Sequence, residues 1–182
     1  MRARLKWGLI IAIALLGFST GTWAVLTCGT STGASAHNPL LYLSSADNAH
    51  ACKVGSCDPS YSLYVWCEDS AGNAKFEFKP AGGAGTVALL NLSSNANAHA
   101  EFASLANYPE KISFNAVDWT TGLATGNITI EEISPSQTCT TGFVPVVRLS
   151  SPTNAHLGTS APPSPGAYDH IICAQFSAGS AT

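Results

Sequence analysis

One eight-residue string, Leu-Ser-Ser-x-x-Asn-Ala-His, occurs three times in this chain, at residues 43–50, 92–99 and 149–156. A repeat constrains architecture before any local propensity does, because a short unit that cannot bury its own apolar face must stack on its copies. The repeat extends on both sides. Apolar runs at 39–42, 88–91 and 145–148 precede the string, and a run opened by Tyr61, Tyr108 or Tyr168 follows a loop of small residues. A third alternating run lies ahead of each copy, at 25–28, 75–78 and 127–131. Alternation with period two reads as strand. In the Tyr-opened run the inward positions are taken to be Val65 and Cys67, Ile112 and Phe114, and Ile171 and Cys173.

The unit is therefore strand, strand, Asn-Ala-His loop, strand, and three units span about 24–68, 74–117 and 126–176 of the 182 residues. A unit of this size has too little core to stand alone, whereas about 150 residues can enclose one. The expectation is a single all-β domain over 25–182, a compact sandwich of about nine strands. A β-trefoil is the alternative; it needs four strands per unit where three are visible.

Residues 1–24 are read as a signal peptide: Arg2, Arg4 and Lys6, then an apolar stretch over 7–18, then Thr22-Trp23-Ala24. That stretch is shorter than the ~20 residues that a membrane span requires. The membrane is then met only through the leader during export. Of eight Lys and Arg, three lie in the leader, leaving five against eleven Asp and Glu, a net charge of −6. A nucleic-acid partner is not expected, since phosphate binding needs clustered cations.

All six cysteines follow the leader, which in an oxidising compartment suggests disulfides. Units one and three each carry one Cys early (Cys28, Cys139) and one in the last strand (Cys67, Cys173), and unit two lacks both. Joint loss is what a bonded pair predicts. The expected bonds are Cys28–Cys67 and Cys139–Cys173, with Cys52–Cys57 closing a small loop, and with Phe78 and Phe114 filling the equivalent space in unit two. Cys139 lies nine residues beyond Ile130, whereas Cys28 sits within its strand, so the two long pairs are not strictly alike.

The repeated loops are the only candidates for chemistry, and two readings compete there. In the local reading Ser44, Ser93 and Ser150, each followed by a second Ser, bond nearby backbone. Asn48, Asn97 and Asn154 then hold a turn that Asn tolerates, and each His packs on its own loop. In the convergent reading His50, His99 and His156 meet about a pseudo-threefold axis as ligands of zinc or copper. Duplication alone explains a repeated motif, so the local reading is the expectation. No metal or cofactor is assigned, and the three His stand as the alternative. Imidazoles sharing one ion at about 2.0–2.1 Å must lie within roughly 3 to 4 Å of each other.

Other candidates carry less. His37 and His170 read as ordinary surface residues, and Cys52 and Cys57 as a disulfide rather than a metal site with His50. Glu68-Asp69 and Glu131-Glu132 point to opposite faces of a strand and cannot flank one bond. No nucleophile elbow, zinc-protease helix or phosphate loop is present, so no enzyme is expected. Asn91 and Asn127 head glycosylation tripeptides. Trp66, Trp119 and the Tyr residues would pack in the core or form a binding surface.

An apolar run, the triplicated string, then a Tyr and a Cys-bearing strand resembles repeats of exported β-proteins from archaea and little-cultured bacteria. The resemblance covers most of the chain after the leader. It implies an exported β-repeat protein and no activity. The last strand of those proteins carries two adjacent Cys, against one here in units one and three and none in unit two. The leading functional expectation is a secreted or cell-surface, non-enzymatic protein acting through its surface, as an adhesion, envelope or appendage component. Its partner would be a protein, a glycan or a second copy. A glycan or small-ligand binding module and a three-His metal protein are the alternatives.

Overall fold

The computed structural model describes residues 26–33, 37–69, 76–80, 86–118, 126–161 and 165–177. The leader and Trp119 lie outside them. The described chain is all-β, with no α-helix and one 3-10 turn. Its strands fall into three sets of four: β1 (Leu26–Thr32), β2 (Leu41–Leu43), β3 (Ala51–Cys52) and β4 (Leu63–Asp69); β5 (Phe76–Pro80), β6 (Val87–Leu92), β7 (Ala100–Phe102) and β8 (Glu110–Asp118); β9 (Asn127–Ile133), β10 (Val144–Leu149), β11 (Leu157–Thr159) and β12 (His170–Ser177).

Each unit thus has four strands, one more than expected. The additional strand follows the His directly and is two or three residues long, too short to show alternation. The strand order within every unit is the same, third-second-fourth-first, and every pairing is antiparallel. Four strands per unit is the number a β-trefoil shares. The order places the fourth strand in the interior of its own small sheet, with the second on one side and the first on the other. A ladder contact between Glu68 and Glu77 joins the sheets of units one and two.

The inner faces of the three sheets pack on one apolar core, the layered arrangement of a sandwich. Leu41, Leu43 and Val65 of unit one, Leu90, Leu92, Ile112 and Phe114 of unit two, and Val147, Leu149, Ile172 and Phe176 of unit three all belong to it.

The three expected disulfides are present: Cys28–Cys67, Cys52–Cys57 and Cys139–Cys173. The two long bonds lie in unlike surroundings, in keeping with the different placing of Cys28 and Cys139. Val65 pairs with Leu41, Ile112 with Leu90 and Ile172 with Val147, so the structural equivalents are Val65, Ile112 and Ile172, each four residues past its Tyr. In unit three the core face is therefore Ile172, Ala174 and Phe176. Ile171 and Cys173 point the other way, into a second small cluster with Ile133, Cys139 and Phe143. The sequence reading set that strand one residue out of phase, because it is apolar on both faces and alternation cannot choose between them. Cys67 corresponds to Phe114 and Ala174. Phe114 does fill that place, opposite Pro80 rather than Phe78.

Candidate metal centre

The repeated string builds the same loop three times. The Ser44, Ser93 and Ser150 hydroxyls accept the backbone N–H of His50, His99 and His156 at 3.0–3.1 Å, and the His carbonyls accept the Ser N–H groups at 3.0 Å. Ser45, Ser94 and Ser151 donate to the carbonyls of Asp47, Ala96 and Thr153. Asn48, Asn97 and Asn154 have φ of 49°, 50° and 50°, the left-handed region that Asn enters at lower cost than other side chains. For the Ser and Asn residues the local reading holds.

For the His residues it does not. The turns bring the backbone of each loop against the next, and paired N–H···O=C bonds at 2.9–3.0 Å join Ala51 to Ala98, Ala100 to Ala155 and Leu157 to Ala49. These three bridges close a ring on a pseudo-threefold axis. The residues on either side of each His, namely Ala49, Ala51, Ala98, Ala100, Ala155 and Leu157, are fully buried. Small side chains at five of the six positions let the backbones approach. Side chains alternate along an extended chain, so His50, His99 and His156 project to the opposite side, away from the core. All three are half-buried.

Their imidazoles converge instead of packing each on its own loop. Nε2 of His99 lies 3.1 Å from Nε2 of His50 and 3.2 Å from Nε2 of His156, and one nitrogen from each ring falls within 4.8 Å of the others. Ring centroids are 4.8–5.0 Å apart, so the rings tilt inward towards their Nε2 tips. Among the described residues no Cys, Asp or Glu belongs to this group.

The outer ring nitrogens of His99 and His156 are held by a neighbouring unit. His99 Nδ1 is 2.5 Å from Oδ1 of Asn154, and His156 Nδ1 bonds Oδ1 of Asn48. An amide oxygen only accepts, so Nδ1 of His99 and of His156 carries the proton and the Nε2 of each presents a lone pair. Tyrosines sit behind the amides. The Tyr108 hydroxyl donates to Asn154 Oδ1 at 3.3 Å, Tyr61 to Asn97 Oδ1 at 3.5 Å, and the Tyr168 hydroxyl accepts the Asn48 N–H at 2.8 Å. Burial and the neighbouring Asp47 push the Tyr168 hydroxyl above its ordinary pKa. Burial, then the charges that His99 and His50 would carry, hold His156 below its usual value.

Two neutral rings whose Nδ1 atoms are protonated cannot hydrogen-bond to each other through Nε2. At 3.2 Å their lone pairs repel unless a cation lies between them. Donors on a tetrahedral ion at about 2.0–2.1 Å lie about 3.3–3.4 Å apart, close to the 3.1 and 3.2 Å that separate His99 from His50 and from His156. Bonding of the remote Nδ1–H to a fixed acceptor is also what orients histidine ligands in metal sites.

Sequence reasoning missed Glu101, which is fully buried. Its carboxylate accepts from Asn91 Nδ2, Asn107 Nδ2, the Tyr108 N–H and the Thr153 hydroxyl at 3.3, 3.1, 2.7 and 3.4 Å. Burial raises its pKa, and the Tyr108, Asn107 and Asn91 hydrogen bonds outweigh that and leave it lowered. The signal available was Asn91 and Glu101, opposite each other on β6 and β7. The matching pairs are Tyr42 and Cys52 in unit one and Arg148 and Gly158 in unit three. Each unit ties down the loop after its His differently: the Cys52–Cys57 bond, the Glu101 carboxylate, and Arg148, which donates to the carbonyls of Ser160 and Tyr168 at 3.0 and 3.3 Å.

His37 and His170 are not plain surface residues. His37 stacks on Trp66 at 4.0 Å and pairs with Glu68 at 3.0 Å, while His170 is partly buried, edge-on to Phe102. Trp66 also covers Gly29, where a Cβ would stand 2.8 Å from its ring. Asn91 is buried and unreachable for glycosylation in the folded protein, whereas Asn127 is exposed.

Comparison of the chain with protein-family models, with curated proteins and with solved structures finds no match.

Proposed function

We propose that this chain is an extracytoplasmic protein that holds one divalent transition-metal ion, zinc foremost, on Nε2 of His50, His99 and His156. The observation that carries the reading is the meeting of the His99 and His156 lone pairs at 3.2 Å while both Nδ1 atoms are committed to amide oxygens. Three imidazoles converging as a tripod suit zinc, which imposes no geometry of its own. Copper(II) favours a square array, and copper(I) favours the sulfur ligands that this group lacks.

Export is supported by the basic and apolar start of the chain and by three disulfides, which are typical of extracellular proteins. A protein acting through its surface remains the wider frame. In that frame the ion is the feature displayed, on the side of the loop ring that faces away from the core.

The test is metal content after export with the disulfides intact. The chain, stripped with chelator and dialysed against zinc, should retain one equivalent by elemental analysis. His50→Ala, His99→Ala and His156→Ala should each lose it. Retention of zinc by all three variants, or none by the parent, overturns the reading.

A further inference from the structure

We infer that the ion on this tripod keeps an exchangeable position on its outer side, and that a small anion from solution, a carboxylate or azide-like donor, binds there. This rests on the metal-binding reading above.

Three features of the site lead to it. The first is ligand count: His50, His99 and His156 are the whole donor group among the described residues, and four-coordinate zinc with three protein ligands completes its shell from solution. The neighbouring carboxylates are engaged elsewhere. Glu101 accepts from Asn91, Asn107, Tyr108 and Thr153, and Asp47 from the Asn48 N–H at 2.9 Å.

The second is direction. The fully buried residues beside each His close the inner side of the ring, and the half-buried imidazoles stand on the other. Nitrogens 3.1 and 3.2 Å apart subtend about 100° at an ion about 2.05 Å away. With His99 at about that angle to each of the other two, and all three imidazoles rising from the same ring of loops, the side of the ion away from that ring is left open.

The third is charge. All three ligands are neutral imidazoles, so the site carries the full +2 of the ion, and among the described residues no carboxylate or thiolate joins the group to offset it. A fourth ligand bearing negative charge is favoured over water by the Coulomb attraction that three imidazoles leave unsatisfied.

Cobalt(II) in place of zinc reads both steps, because its visible spectrum reports coordination directly. The disulfide-bonded chain titrated with cobalt should take up one equivalent, with bands of a four-coordinate site. Azide, and separately acetate, should then shift those bands to saturation. His99→Ala should lose both the bands and the response; His50→Gln, with folding checked by circular dichroism, provides an independent ligand removal. Stoichiometric cobalt whose spectrum neither anion moves overturns the open position and leaves the metal site standing. No stoichiometric cobalt uptake overturns both.

Discussion

Asn48 and His156 stand 108 residues apart in sequence and are bonded side chain to side chain, the amide oxygen of the first unit on Nδ1 of the last unit's imidazole. The bond closes the ring of units and fixes the His156 tautomer with its lone pair towards the axis. Asn48 thus has two tasks, one in its backbone at φ 49° and one in its amide. Asn48→Gly keeps the first and removes the second, so zinc affinity should fall about 10–100-fold with the fold unchanged by circular dichroism. Asn48→Ala should also lose about 1–2 kcal/mol of stability, because a Cβ is disfavoured in the left-handed region. Equal stability of the two variants would show that the turn imposes no such demand.

Acid should act on the metal-free protein in two stages. The folded-state pKa of His156 lies below the 6.5 of an ordinary histidine, so below that pH the unfolded chain binds the proton more readily and stability falls as pH drops. Glu101, held below the 4.5 of an ordinary glutamate, contributes stability above that pH which is lost as the pH falls through its folded value. Zinc should raise the urea midpoint at pH 7.5 and lose that effect towards pH 5, as protons compete for Nε2. A metal-free protein equally stable at pH 7.5 and pH 5.5 would contradict the assignment to His156.

Disulfide removal should rank by the length of chain each bond encloses. Cys28–Cys67 and Cys139–Cys173 span 39 and 34 residues, and Cys52–Cys57 spans 5. In the chain-entropy view the long pairs are worth about 4 kcal/mol each and the short one about 2 kcal/mol. Replacing each pair by two alanines and comparing urea denaturation checks the order. The short bond abuts His50, so its loss should weaken zinc binding more than the loss of Cys139–Cys173, which sits in the separate outer cluster.

Glu101→Gln should cost about 1–3 kcal/mol, since one carboxylate oxygen becomes a donor facing donors in a buried setting. Tyr108 is tied to Glu101 through its N–H and to Asn154 through its hydroxyl, so the variant should also bind zinc more weakly than the parent. Thermal denaturation and zinc titration of the same preparation separate the two effects. Unchanged denaturation would mean the network is replaceable by solvent.

Much of this molecule was legible in order. The strand around Ile112 shows plain alternation because Lys111, Ser113 and Asn115 mark its other face, and around Val65 the aromatic Tyr64 and Trp66 alternate with Leu63, Val65 and Cys67. Around Ile172 both faces are apolar, and the phase was lost with the pattern that reports it. The disulfide partners followed from joint absence in unit two, although Cys173 proved to lie on the opposite face from Cys67. Glu101 was invisible because a buried carboxylate is recognisable only by the donors that surround it, and Asn91, the adjacent Asn107 and Tyr108, and Thr153 reach it from three places in the chain.

The string of residues by itself determined the threefold copy, the β character, the cysteine pairing and the left-handed Asn turns, all of which depend on local chemistry or on a count. Whether His50, His99 and His156 lie apart or together was decided only in three dimensions. Each loop leaves its strand identically in either case, and the separation of the imidazoles depends on how the Ala49, Ala98 and Ala155 backbones meet across units. That meeting is a non-local event. It brings the three imidazoles together about one axis.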